Sequence, residues 1–289
     1  MRMKVRKAVI LAAGYGTRLL PATKSVPKEM LPLVDRPVIQ YIVEEALAAG
    51  LDQIIMVTSA PKRAIEDFFD HEFELESVLE EAGKHELLEA VRKPASVSMA
   101  FVRQRERRGN GHAVTITRDL VGNEPFAIFF PDDVILHDVP AIGQLIDVFE
   151  RFEHTVLAVQ QVPREEVVQY GVIEPREVEP RLYEVHRVVE KPSIEEAPSN
   201  LTTVGRFVAT PELFDVLAET PPGRAGEIWL MDAFDRLIAR EPVYACEYEG
   251  IRFDCGRPLG LLQASIHLAL QREGLGQDLR AHLRSLPQD

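Results

Sequence analysis

Ala8-Val9-Ile10-Leu11-Ala12-Ala13-Gly14-Tyr15-Gly16-Thr17-Arg18-Leu19-Leu20-Pro21-Ala22-Thr23-Lys24-Ser25-Val26-Pro27-Lys28-Glu29-Met30-Leu31-Pro32 is the stretch from which the fold is read. Val9, Ile10 and Leu11 form a short apolar run rich in strand formers, and a glycine loop follows at once. Gly14 and Gly16 open backbone angles closed to other residues and remove the Cβ that would hold a ligand off. Arg18 and Lys28 then place two cations after the loop. Backbone N–H groups together with Arg and Lys suit a polyphosphate. Taken alone, Gly-x-Gly also suits a tight turn in any α/β domain. It lacks the third glycine of a dinucleotide fingerprint and the Gly-Lys-Ser/Thr of a Walker loop.

Outward from that loop, strands and helices alternate. Residues 37–50 place Val38, Ile39, Ile42, Val43, Ala46 and Leu47 on one helical face, with Pro37 at the start and Gly50 at the stop. Residues 53–59 read as a buried strand, so strand, helix and strand predict a parallel crossover. Residues 61–69 read as a short helix, and 72–92 as a charged helical excursion with a solvated acidic face. Strands follow at 97–102, 126–133 and 155–162, with an amphipathic helix at 140–152. From about residue 169 the texture changes to short β-like pieces at 170–173, 183–189 and 202–208. Later come helices at 211–218 and from 226, a turn at 220–224, an edge-like strand at 242–248, a helix at 259–270 and a polar tail at 280–289 that reads as frayed or used in subunit contact. The fold class is α/β: a Rossmann-like mixed, mainly parallel sheet flanked by helices, with a smaller inserted antiparallel β region. The nucleotide-binding part runs over about 1–165, the sugar-binding part and β insertion over about 166–256, and the C-terminal helices over about 257–289, in a single domain.

The chain has 289 residues, a net charge of −13 and 46% apolar residues. That is enough apolar chain for a full core, and the acidic balance argues against a general nucleic-acid or membrane-surface binder. Cys246 and Cys255 form neither a disulfide framework nor a zinc spacing, nothing reads as a signal peptide or a membrane span, and a reducing cytoplasm is the default setting.

Two further stretches carry chemistry. Arg103-Gln104-Arg105-Glu106-Arg107-Arg108-Gly109-Asn110-Gly111-His112 closes a strand and opens a helix, as a second ligand-facing loop or a solvated basic one. Residues 126–133 form a strongly apolar strand ending in Asp132 and Asp133. Ligands of an open parallel sheet sit beyond the C-terminal strand ends, so carboxylates there are candidates for Mg²⁺.

The whole series, from Gly-Tyr-Gly-Thr-Arg-Leu and Pro27-Lys28-Glu29-Met30-Leu31 onward, resembles the sugar-1-phosphate nucleotidylyltransferases, and the Pro-Lys-Glu-Met-Leu-Pro-Leu-Val-Asp form resembles their uridylyltransferase branch. Tyr170-Gly171-Val172-Ile173, Val189-Glu190-Lys191-Pro192, Thr203-Val204-Gly205-Arg206 and Asp254-Cys255-Gly256 follow in the order of that family's motifs. The resemblance implies Mg²⁺-dependent transfer of a uridylyl group from UTP to glucose 1-phosphate, in a homodimer or homotetramer with no nucleic-acid or membrane partner. It implies catalytic roles for Arg18, Lys28 and Lys191. Ala12, Ala13, Gly14, Gly16, Thr17, Gln104 and Gly109 or Gly111 would hold the nucleotide, with the Gln104 amide reading the pyrimidine edge. Gly171, Glu190 and Gly205 would face the sugar, and Asp132 and Asp254 would hold Mg²⁺. Arg206 would add a phosphate or a structural contact, and His112 reads as local structure rather than a base.

One departure stands out. Trp229 and Met231 occupy positions where that family usually carries Gln and Thr, which bears on the sugar pocket or on a subunit contact. Two other readings remain open: a thymidylyltransferase using dTTP, and a non-catalytic regulatory relative. The intact Gly16-Thr17-Arg18 and Lys28 weigh against the second.

Overall fold

The computed structural model describes residues 4–223 and 226–287. Residues 1–3, Arg224 of the turn expected at 220–224 and the last two residues of the tail lie outside them. The strands are β1 (Lys7–Leu11), β2 (Pro32–Leu33), β3 (Arg36–Pro37), β4 (Gln53–Thr58), β5 (Met99–Arg103), β6 (Phe126–Phe129), β7 (Asp133–Leu136), β8 (Val156–Gln161), β9 (Gly171–Glu179), β10 (Leu182–Glu190), β11 (Leu201–Ala209), β12 (Tyr244–Glu247) and β13 (Ile251–Asp254).

Nine of these strands make one sheet in the order β5-β4-β1-β6-β11-β8-β12-β10-β9. β5, β4, β1 and β6 run parallel, with helix Val38–Ala48 carrying the chain from β1 towards β4. β11 enters antiparallel between β6 and β8, and β10 and β9 continue antiparallel beyond β12. Side chains alternate between the two faces. Ala8, Ile10, Ile54 and Met56 join the core under helices Val38–Ala48 and Ala141–Phe152, whereas Val9, Ile55 and Val57 join the core under Glu212–Glu219 and Leu230–Leu237.

Three expectations are corrected. The strand read at 242–248 as edge-like is internal: β12 pairs parallel with β8 on one side and antiparallel with β10 on the other. Its alternation of buried Ala245 with half-buried Tyr244, Cys246 and Glu247 looks like an edge only until the partners are known. The strand read at 126–133 stops at Phe129, and Pro131 and Asp132 form a turn that hands Asp133 to β7. The tail is a helix, Leu275–Ser285, seated on the preceding helix through Arg280, whose Nη2 donates to the Leu270 carbonyl at 3.0 Å. The charged excursion at 72–92 divides into helices Phe73–Glu81 and His85–Ala95.

Candidate functional site

At the C-terminal ends of β1 and β6 lies a cavity of about 380 Å³. Its wall includes Ala13, Gly14, Gly16, Thr17, Gln104, Gly109 and Asp132. Among the described residues Gly14 has no neighbouring atom within 4 Å of the place a Cβ would take, so their packing does not require a glycine there. Gly16 does need its freedom: its φ is +68° and a Cβ would stand 3.1 Å from Cβ of Lys28.

The loop opposite is held by main-chain bonds to Ile228. Ile228 N–H donates to the Arg108 carbonyl at 2.8 Å, and Gly111 N–H donates to the Ile228 carbonyl at 2.9 Å. Gly109, at φ +97°, and Gly111 both leave room for Ile228. Gln104 is buried; its Nε2 donates to the Gly109 carbonyl at 3.0 Å and lies 3.2 Å from Nδ1 of His112. Burial holds the His112 imidazole below its ordinary pKa, so the ring is neutral near pH 7 and Nδ1 can accept. In the tautomer that leaves Nδ1 unprotonated, both amide hydrogens of Gln104 are engaged within the protein, and its Oε1 is left to accept.

A second cavity, of about 170 Å³, shares Asn110, Phe130 and Asp132 with the first. Its wall holds Arg18, Gly171, Glu190, Lys191, Gly205, Trp229, Met231 and Asp254. Lys191 Nζ lies 2.8 Å from Glu190 Oε1 and 4.6 Å from the centre of the Trp229 ring. Gly171 yields space to Thr203 and Met231, and Gly205 to Phe130 and Asp133, so packing as well as access calls for these two glycines.

Three carboxylates gather where the cavities meet, because β13 pairs with β7 and sets Asp254 opposite Asp133. Asp133 is already engaged: Arg252 donates to its Oδ1 at 2.6 Å and Gly205 N–H to its Oδ2 at 2.9 Å. Asp132 pairs with Lys28 at 2.6 Å, and Asp254 with Arg257 at 3.1 Å. A Cβ on Gly256 would stand 2.7 Å from Asp132 Oδ2 and 3.0 Å from Asp254 Oδ1, so the glycine keeps open a cleft that both carboxylates border. Burial, then the charges of Asp133 and Asp132, push the Asp254 carboxyl above its ordinary pKa. Such crowding of negative charge suits a divalent cation. Among the described residues no group of three or more His, Cys, Asp and Glu side chains is arranged to hold a metal. Two carboxylates fit Mg²⁺, which commonly completes its shell with substrate phosphates and water.

Most of the residues singled out in the sequence therefore line one cavity or the other. Ala12 and Gly111 do not: Ala12 is fully buried with its N–H on the Val57 carbonyl at 2.8 Å, and Gly111 packs against Ile228. Lys28 stands behind Asp132. Arg206 is structural, fully buried and paired with Glu45 at 2.6 Å. The structure adds Tyr15, Arg107, Asn110 and Glu227 to the first cavity and Gln169, Arg252 and Arg257 to the second. The Arg107 guanidinium lies 3.2 Å from the centre of the Tyr15 ring and so bridges the two loops. The run of arginines at 103–108 was visible in sequence, but not which one turns inward.

Comparisons with known proteins show the family and the fold. The family described as nucleotidyl transferase matches residues 7–271. The UTP–glucose-1-phosphate uridylyltransferase of Staphylococcus epidermidis is 50% identical over 284 residues, 98% of this chain and 99% of that one. Its counterpart in Staphylococcus haemolyticus is 48% identical over the same shares. A crystal structure of UDP-glucose pyrophosphorylase complexed with UDP-glucose superposes with a TM-score of 0.85 at 40% identity, over 93% of this chain and 100% of that one. The UTP-bound enzyme of Acinetobacter baumannii superposes with a TM-score of 0.91 at 38% identity, over 98% and 100%.

Proposed function

The chain belongs to the nucleotidyl transferase family, and from that premise we propose that it transfers the uridylyl group of UTP to glucose 1-phosphate, giving UDP-glucose and pyrophosphate. The observation that carries this reading is the junction of two cavities at Asp132, one with a glycine loop and an amide acceptor, the other with Glu190 and Lys191. The ring N3–H of uracil suits the Oε1 of Gln104, whereas N3 of cytosine is an acceptor and would face that oxygen lone pair to lone pair. Gly14 lets the nucleotide approach the loop backbone.

The reaction joins two anions. A phosphate oxygen of the sugar phosphate attacks the α-phosphorus of UTP, the bond to the bridging oxygen breaks, and pyrophosphate leaves with the electron pair. The nucleophile is already ionised near neutral pH, since a phosphate's second pKa is near ~6. No general base or covalent intermediate is needed, and the protein's task is to align the reactants and offset their charge. Arg18 and Lys28 are assigned to the triphosphate, Lys191 to the attacking phosphate and Glu190 to sugar hydroxyls. Asp132 and Asp254 would hold Mg²⁺, which when bound supplies a Lewis acid and offsets phosphate charge.

We also infer a homo-oligomer. Leu259, Leu262 and Ile266 form an exposed apolar stripe on helix Pro258–Gln271, as a subunit contact requires. No helix among the described residues is long and apolar enough to cross a membrane, and two free thiols suit a reducing cytoplasm.

Pyrophosphate release with Mg²⁺ and glucose 1-phosphate, compared across UTP, dTTP, ATP, CTP and GTP, tests the reading. A strong preference for UTP is expected. A preference for dTTP would move the chain to the thymidylyltransferase branch. Silence with every nucleotide would favour the regulatory reading.

A further inference from the structure

Trp229 precedes helix Leu230–Leu237, and the helix start is tied down by Asn110, whose Oδ1 accepts the Leu230 N–H at 2.8 Å. Asn110 borders both cavities, so the indole is fixed to the loop that faces the first cavity while standing in the wall of the second. Across the second cavity, the Lys191 backbone is held in the left-handed region at φ +47°, with its N–H on the Tyr170 carbonyl at 2.9 Å. Such a conformation costs free energy in a non-glycine residue and persists where the surroundings enforce it.

The backbone of Lys191 is thus fixed, but its four-carbon stem is not. Two contacts decide where the ammonium goes: Glu190 at 2.8 Å and the Trp229 ring at 4.6 Å. They act differently on an incoming phosphate. A carboxylate neutralises the ammonium and competes with the anion, whereas an aromatic face holds the cation through its quadrupole and leaves the charge in place. Trp has the strongest such face.

We propose that Trp229 is the positioning residue for Lys191: the indole face gives the ammonium a second contact beside Glu190 and presents it, still charged, to the phosphate of the sugar substrate. This rests on the assignment of the second cavity to the sugar phosphate. The phosphate, carrying full charge, then takes the ammonium over from the ring.

Trp229 is the chain's single tryptophan, so its fluorescence reports this contact directly. Titrating the full chain with glucose 1-phosphate should shift the Trp229 emission, and Lys191→Met should abolish most of the response. An undiminished response in Lys191→Met would mean that the ring senses the sugar itself, and would overturn the proposal. In steady-state assays Trp229→Gln should lower kcat/KM for glucose 1-phosphate by about tenfold and leave KM for UTP within about twofold. Trp229→Phe should recover most of the loss, and Trp229→Met, which fills space without a quadrupole, should not. Equal recovery by Phe and Met, or a Gln variant as active as the parent, would reduce Trp229 to packing. If a variant fails to fold, as circular dichroism would show, the comparison of the parent with Lys191→Met still decides. Should the parent release no pyrophosphate from UTP and glucose 1-phosphate, the reaction fails, while the fluorescence titration still reports on the Lys191–Trp229 contact.

Discussion

Lys28 Nζ lies 2.6 Å from Asp132 Oδ2, a pair that ties the glycine loop's trailing segment to the turn after β6. Burial lowers the lysine pKa, but Asp132, Glu29 and Asp133 outweigh it, and the ammonium titrates above its ordinary value. Burial raises the Asp132 carboxyl, and Lys28 more than reverses that. The signs follow by linkage. The lysine's contribution is complete below about pH 10.5 and is lost as pH rises through its folded value; the aspartate's is complete above about pH 3.8 and is lost as pH falls through its folded value. Between those limits the pair stays ionised, and a cation approaching Asp132 meets a lysine already there.

That competition predicts opposite effects on binding and turnover. Lys28→Met should tighten Mn²⁺ binding in the absence of nucleotide by several-fold, read by electron paramagnetic resonance, and lower kcat by roughly 10²–10³-fold. Asp132→Asn should abolish metal-dependent turnover. An Asp132→Asn enzyme with the parent's Mg²⁺ dependence would remove Asp132 from the metal site.

Stability hinges on a second pair. Arg206 is fully buried and forks onto Glu45, with three more donations to the carbonyls of Phe130, Asp133 and Gly205. It therefore braces the turn that carries Asp132. Glu45→Ala leaves the guanidinium buried without its anion and should cost about 3–5 kcal/mol in urea unfolding. The double variant Glu45→Leu with Arg206→Met removes both charges and should recover part of the loss. Additive losses would show that the two side chains do not act as a pair.

The thiols offer a test through pH. Burial pushes Cys246 up to about 11 and Cys255 up to about 12. The thiolate is the reactive form, so its fraction at pH 8 is on the order of 10⁻³ or less. Iodoacetamide at pH 8 should therefore label neither cysteine in the folded chain and both in guanidinium, as intact mass will show. Rapid labelling of the native protein would contradict the packing around β12 and β13.

What the sequence revealed follows the range over which its signals act. The β1 run, the glycine loop and helix Val38–Ala48 were legible because apolar period, Gly and Pro act within a few residues. β12 was misread as an edge because its partners β8 and β10 lie far off in sequence. The Leu275–Ser285 helix was missed because its apolar spacing, Leu275, Leu279 and Leu283, is sparse in a polar tail. Asp254 could be linked to Asp132 only by resemblance; the β7–β13 register that joins them is a tertiary fact. Likewise nothing local told Arg107 from Arg105, or showed that Trp229 would meet Lys191.

Gly14 and Gly109 separate two reasons for a glycine. At Gly14 a Cβ would meet nothing within 4 Å and the backbone has no positive φ, so the protein itself tolerates a methyl group. At Gly109 a Cβ would stand 2.4 Å from the Ile228 carbonyl oxygen, at φ +97°. Gly14→Ala should then unfold within about 0.5 kcal/mol of the parent while raising KM for UTP by about tenfold or more, because the added methyl stands where the nucleotide approaches. Gly109→Ala should destabilise by more than about 1 kcal/mol and lose UTP binding as a consequence of the displaced loop. Urea unfolding and UTP titration of both variants check this. A Gly14→Ala enzyme with unchanged KM for UTP would place the nucleotide elsewhere in the first cavity, since no contact among the described residues otherwise accounts for a glycine at that position.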